Sequence, residues 1–306
     1  MKKKGNLFIP FILIIILVLV YYYRAPLYNL YYDYMVPLEK KVSTLDTNKY
    51  YRDYNFDYVS NTESFVAKDK QHILDIYYTI LNSGMTKFKF VCDSKYDNCY
   101  NDVNDIAHNQ EILSTLNNFV HPYNSFKTIK TKATEDGVIE VNIEKVYNSK
   151  MITLIDYETE KIKNELINDN MSNTEKIKTI HDYIVDTTVY DDERADKKIT
   201  QYSSDTAYGV LSEGHGVCSG YTDAMMIFLE KLNIKSIKVA SENHVWNYVY
   251  VNNEWLHLDL TWDDPKTDDG SSIIDHTYFL INSDKLNELT AKNNSSEHKY
   301  NIEIYG

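Results

Sequence analysis

Apolar and polar positions divide this chain into a leader and a body. The leader is an apolar run from Leu7 to Tyr23, interrupted only by Pro10, that follows Lys2, Lys3 and Lys4. Its 17 residues are the short end of what crosses a bilayer as a helix. Tyr21, Tyr22 and Tyr23 suit the aromatic belt at the far interface. The run ends without a small-x-small cleavage site, and no Cys follows it. It therefore reads as an uncleaved single-pass anchor over residues 7–23. The lysines keep residues 1–6 in the cytoplasm and place everything later outside. Residues 24–65 are polar, Tyr-rich and without a steady period, and read as a tether.

The body begins with a helical period over 70–82, carried by Ile73, Leu74, Ile76, Tyr77 and Ile80. Residues 87–92 alternate as a strand, and 104–119 carry a second helical period through Ile106, Ile112, Leu113 and Leu116. Two alternating runs, 126–134 and 138–147, flank Glu135-Asp136-Gly137, a strong hairpin signal. Together these elements predict a small α+β module over 66–155 without chemistry of its own. A larger α+β domain follows over 156–306. It opens with a capping box, Ser172 and Glu175, ahead of a helix to about Thr187 with Ile177, Ile180 and Ile184 on one face. A polar loop from Tyr190 to Asp205 leads to Gly214-His215-Gly216-Val217-Cys218-Ser219-Gly220-Tyr221.

After that segment Tyr221, Ala224, Met225, Phe228, Leu229 and Leu232 recur at helical spacing, so Cys218 opens a buried helix. Free N–H groups and the helix dipole at such a position favour a thiolate. Gly216 and Gly220 would admit a substrate backbone. Further on, His244, Trp246, Tyr248 and Tyr250 share one strand face, and Asn252-Asn253 suits a two-residue hairpin loop. With that loop, Val251 pairs with Glu254 and the numbers of paired residues sum to 505. His244 and Asp259 then become diagonal neighbours on one face, about 7–8 Å apart at the backbone. A slip of one residue would put Leu260 there instead. A thiol at a helix start, an imidazole on one strand and a carboxylate on the next make a nucleophile, a proton carrier and an orienting group.

Charge narrows the partners. The net charge is −13, and residues 1–41 contain six basic and two acidic residues, so the body is strongly acidic. Phosphate backbones need a basic face, which excludes nucleic acid. Of three cysteines, Cys92 and Cys99 are close enough to bridge or stand as two thiols, and Cys218 is left over. Asp263, Asp264, Asp268 and Asp269 lack the spacing of a calcium hand, and no zinc spacing, phosphate loop or dinucleotide fingerprint is present, so no metal and no cofactor are expected.

Gly216 to Tyr221, His244-Val245-Trp246-Asn247, Trp255 to Asp259, and Thr261-Trp262-Asp263-Asp264-Pro265 together resemble the transglutaminase-like superfamily, a group related to papain-type proteases. Ile180 to Ile184 and Val189-Tyr190-Asp191 resemble the helix and loop ahead of the Cys in bacterial members. The resemblance covers about 160–285 and implies a papain-like α+β core with Cys218, His244 and Asp259 as its catalytic triad. The chain lacks the Trp that follows the Cys in animal transglutaminases. The expected activity is thiol-dependent acyl transfer on Gln side chains or peptide bonds of surface proteins. The alternatives are a cysteine peptidase or amidase acting on surface or cell-wall peptides, and a non-catalytic surface binding module. Tyr190, Tyr221, Trp246 and Trp262 are the expected cleft residues beside Gly216 and Gly220. Tyr190 or Tyr202 are candidate oxyanion donors.

Overall fold

The computed structural model describes residues 8–35, 41–134, 137–199, 201–265 and 273–305. Helix α1 (Phe8–Met35) leads. Its apolar side chains from Ile12 to Tyr23 are exposed. Among the described residues no helix is long and apolar enough to cross a membrane, so the anchor expected over 7–23 gains no support there. Lys2, Lys3, Lys4 and Leu7 lie outside the described residues.

The expected tether is corrected. Residues 24–35 continue α1, and residues 41–65 are bound to the body. Arg52 anchors them: fully buried, it donates to the carbonyls of Ser236 (3.0 Å) and Phe119 (3.3 Å) and pairs with Glu230 at 3.0 Å. Val59 and Phe65 complete the attachment by burying apolar surface. A polar, Tyr-rich stretch without a period can still bind a surface when one guanidinium finds enough acceptors.

A four-stranded sheet follows, formed by β1 (Val66–Ala67), β2 (Lys87–Cys92), β3 (Phe126–Ala133) and β4 (Val138–Lys145) in the order β1-β2-β4-β3. Helix α2 (Lys70–Ser83), capped by the Asp69 side chain, packs Ile73, Ile76, Tyr77 and Ile80 into the core. The helix expected over 104–119 is two helices, α3 (Cys99–His108) and α4 (Gln110–Asn117). They break at Asn109, whose side chain accepts from Ile112 N and caps α4. Cys92 and Cys99 are bridged, tying the end of β2 to the start of α3.

The boundary expected at 155/156 falls inside α5 (Ser149–Leu166), which the sequence reading passed over. Helix α6 (Asn173–Thr187) carries the expected Ser172–Glu175 capping box. The short strands β5 (Val189–Tyr190) and β6 (His215–Gly216) pair in parallel, with α7 (Asp192–Lys197) in the loop between them. Helix α8 (Cys218–Lys231) then packs on a sheet of β7 (Ser236–Ala240), β8 (Val245–Val251) and β9 (Glu254–Leu258). Helices α9 (Ser283–Lys292) and α10 (Ile302–Tyr305) close the chain.

This second sheet has no polar face, which explains why the expected module is not separate. Ile237, Val239, Trp246 and Tyr248 share one core with residues 59–143, whereas Val249, Val251, Leu256 and Leu258 share the other with α6 and α8. A buried ion pair fixes α8 to β7: Lys238 donates to Asp223 at 2.9 Å, and Tyr147 donates to the other carboxylate oxygen at 2.7 Å. Asp223→Ala would strand the Lys238 ammonium in the interior. It is expected to cost about 3–5 kcal/mol, read as a lower urea midpoint with an unchanged m value.

Candidate active site

Two devices bring the thiol to the imidazole. Val217 is the N-cap of α8 and Cys218 its first residue, so the Cys218 N–H has no acceptor within the helix. One turn on, Thr222 Oγ1 shares its proton between the Cys218 carbonyl at 2.7 Å and the Val245 carbonyl at 3.0 Å, and Asn247 Nδ2 donates to the Thr222 carbonyl at 3.0 Å. These bonds fasten the first turns of α8 to the start of β8, beside His244. Cys218 is unpaired and half-buried, and its side chain adds to the raising of the His244 imidazole.

The hairpin sets the other contact. Val251 pairs with Glu254 and Asn247 with Leu258, the expected register. Asn252 and Asn253 both adopt positive φ, as the two-residue loop requires. The ladder ends at the pair Asn247 and Leu258, so Asp259 lies one residue and His244 three residues beyond it, and the second strand is shorter than the expected run to Trp262. His244 Nε2 donates to Asp259 Oδ2 at 2.6 Å, which leaves Nδ1 for the thiol. Asp259 Oδ1 accepts from the N–H groups of Thr261 (3.0 Å) and Trp262 (3.3 Å), which bend the chain away from the sheet.

The electrostatics follow from burial and pairing. Burial disfavours charge on His244. The Asp259 charge and hydrogen bond, reinforced by Cys218, outweigh it and raise the imidazole to about 10. Burial would likewise raise Asp259, but the His244 charge and the bonds from His244 and His298 hold it below the ordinary carboxylate value. At neutral pH His244 is an imidazolium held against the Asp259 carboxylate.

Residues 160–260 match the family model of the transglutaminase-like superfamily. This stretch belongs to that superfamily. A transglutaminase-like domain with its cysteine at a helix start supports a cysteine-dependent enzyme in general. No curated protein matches the chain. Among solved structures, a TGase is 16% identical, with a TM-score of 0.27, covering 56% of this chain and 62% of its own. A proposed cysteine protease from Cytophaga hutchinsonii is 12% identical, with a TM-score of 0.28, covering 50% of this chain and 69% of its own. The chain thus spans less than two thirds of that TGase.

The side-chain contacts give different work to several residues expected in the cleft. A Cβ on Gly216 would meet the Tyr221 ring and Val210 at 2.7 Å, and one on Gly220 would meet the Ser204 carbonyl at 2.3 Å. Both glycines therefore admit the protein's own atoms, in place of a substrate backbone. Tyr221 is buried and donates to Asp264 at 2.6 Å, so it packs in the core. Trp246 is also core: it stacks on His244 at 5.7 Å and donates from Nε1 to His257 Nδ1 at 3.0 Å. Burial, then the nearby His298, lowers His257 to about 3, which keeps its imidazole neutral and able to accept that bond. Trp262 is half-buried and donates to Glu297 at 2.9 Å. Tyr202 stacks on His215 at 3.7 Å. Tyr190 stays near the thiol: burial and then the Cys218 charge raise its phenol to about 12, so it remains an O–H donor.

The sequence reading missed His298. Fully buried, it donates from Nε2 to Asp259 Oδ2 at 2.8 Å, giving that oxygen a second imidazole partner. Tyr278 stacks on its ring at 4.9 Å, with Trp262 and Trp246 edge-on at 4.9 and 5.0 Å. His298 lies outside the matched stretch, between polar neighbours that show no period. Asp263 accepts from His181 and from Tyr278 N, so its carboxylate and that of Asp264 are engaged by protein donors. Asp268 and Asp269 lie outside the described residues.

Proposed function

We propose that the protein is a thiol acyltransferase acting on peptide or Gln side-chain amides, with Cys218, His244 and Asp259 as its catalytic residues. The observation that carries this reading is the hydrogen bond from His244 to Asp259, with His244 held as an imidazolium beside the unpaired thiol at the start of α8. Cys218 Sγ attacks the carbonyl carbon, and the C–N bond breaks as His244 gives its proton to the leaving amine. An amine or water then attacks the thioester, returns a proton to His244 and frees the thiolate. The Cys218 N–H and the Tyr190 phenol are candidate donors to the oxyanion.

Incubating the protein with a Gln-containing peptide and a labelled amine distinguishes the outcomes by mass. Amine incorporation is the expected result. Hydrolysis would assign a peptidase or amidase, and no turnover beyond that of Cys218→Ala would assign a binding module. We also place the domain outside the cytoplasm, attached to a membrane through residues 7–23. The Cys92–Cys99 disulfide supports an oxidising compartment. Loss of the body from intact cells under external protease tests it.

His298 enters this reading as a positioning residue. His298→Leu removes a hydrogen bond to a charged group worth about 1.5–3 kcal/mol, and so is expected to lower kcat about 10- to 100-fold with KM unchanged. His298→Gln keeps an N–H donor and should recover most of the loss. Equal losses in both variants would assign His298 to packing alone.

A further inference from the structure

We propose that His181, Asp182 and His276 bind a divalent transition-metal ion of the zinc class, because their ligand atoms converge in a way that hydrogen bonding alone leaves inconsistent. His181 Nδ1, a carboxylate oxygen of Asp182 and His276 Nε2 lie within 4.8 Å of one another. His181 and Asp182 are consecutive on α6, and His276 comes from the segment after residue 273, so the set joins two separate parts of the fold.

The inconsistency concerns protons. His181 is fully buried between two carboxylates, with Nε2 at 3.2 Å from Asp263 Oδ2 and Nδ1 at 2.9 Å from Asp182 Oδ1. A doubly protonated imidazole serves both carboxylates, so His181 by itself raises no conflict. At His276 the demand is contradictory at a single atom. Its Nε2 is 2.7 Å from Asp182 Oδ1, which needs a proton there, and 3.0 Å from the Lys178 ammonium, which needs a lone pair there. The Lys178 ammonium is also 2.5 Å from Asp182 Oδ2, so a cation already sits at the mouth of the cluster. Its side chain is 49% exposed and free to swing into solvent.

An ion bound among the three atoms removes the conflict at His276 Nε2. Each imidazole gives a lone pair to the metal, and His181 Nε2–H donates to Asp263. Metal-bound histidines ordinarily donate their other N–H to such a carboxylate. Two imidazole nitrogens and one carboxylate, with a position open to water, suit zinc or cobalt rather than calcium or magnesium, which take oxygen ligands. By contrast, the His244–Asp259–His298 group has consistent protons, since both Nε2–H groups donate to one carboxylate oxygen. The ion would also fasten the turn that carries Asp259: Asp263 N donates to the Asp259 carbonyl at 3.2 Å, and Asp263 Oδ1 accepts from Tyr278 N at 2.8 Å.

The test is a cobalt(II) titration of the full chain in a Cys218→Ala background, which removes the free thiol as a competing ligand. The expected result is one ion per chain, with the visible bands of a four-coordinate site and displacement by zinc. His276→Ala removes a ligand and should weaken binding by more than the 10- to 100-fold typical of outer partners. Lys178→Met removes the competing ammonium and should tighten it. No bands with Lys178→Met would overturn the proposal. So would binding that survives His276→Ala, including binding abolished instead by His298→Leu.

Discussion

Replacing Cys218 by serine is expected to lower turnover about 10⁶-fold, the scale seen when a nucleophile that acts as part of a unit is lost, with the melting temperature and substrate affinity nearly unchanged. The reason lies in the proton inventory. His244 is held up to about 10, so at neutral pH it already carries the proton that a general base would have to accept. The proposed attack starts from a thiolate beside that imidazolium, with the nucleophile formed before the substrate arrives. A serine hydroxyl holds its proton far more tightly and would need a neutral base. Single-turnover kinetics with a Gln-containing or peptide substrate measure the loss. A serine variant retaining a per cent or more of the wild-type rate would mean that the proton is not disposed in this way.

The parts of the site legible in the sequence are those fixed by local rules. The Asn252-Asn253 loop sets a register that allows one pairing, and that pairing carries His244 to Asp259. The helical period after Cys218 places the thiol at the start of α8. What stayed hidden depends on distant packing. Nothing between Ser295 and Lys299 distinguishes His298 from a solvated histidine, because the rings that bury it come from residues 246, 262 and 278. The glycines misled for the same reason. Their lack of a side chain was visible, but the atoms filling the space come from Val210 and Ser204 as well as the nearby Tyr221 ring, and no local pattern brings the first two near. Strand β7 was missed because its first four residues are all buried, so it lacks the alternation that marks a half-exposed strand.

The same dependence on packing explains how the two halves form one structure. The hairpin of β8 and β9 is a site element on one side and a core element on both. Trp246 shows the connection: it stacks beneath His244 and belongs to the core shared with residues 59–143. The first half therefore contributes to the chemistry by holding the surface against which His244 is oriented, although it supplies no reacting group.

Asp259→Asn is expected to lower kcat about 10⁴-fold without unfolding the protein, and to move the alkaline limb of the pH profile several units downward. An amide at this position keeps an oxygen for the Thr261 and Trp262 N–H groups, so the turn survives. It removes the charge that raises His244 against the effect of its own burial. In the wild type, proton donation to the leaving amine should fail as pH rises through about 10. In the variant only Cys218 still opposes burial, and donation should fail at a much lower pH, towards the ordinary histidine value of 6.5. Stability follows the same two shifts. The raised His244 contributes fully below about 6.5 and loses that contribution as pH rises through about 10. The lowered Asp259 contributes above 3.8 and loses its share as pH falls through the depressed value. The difference in melting temperature between wild type and variant should therefore be widest between these two ordinary values and shrink towards alkaline pH. Superimposable alkaline limbs in the two proteins would remove the His244–Asp259 pair from the reaction.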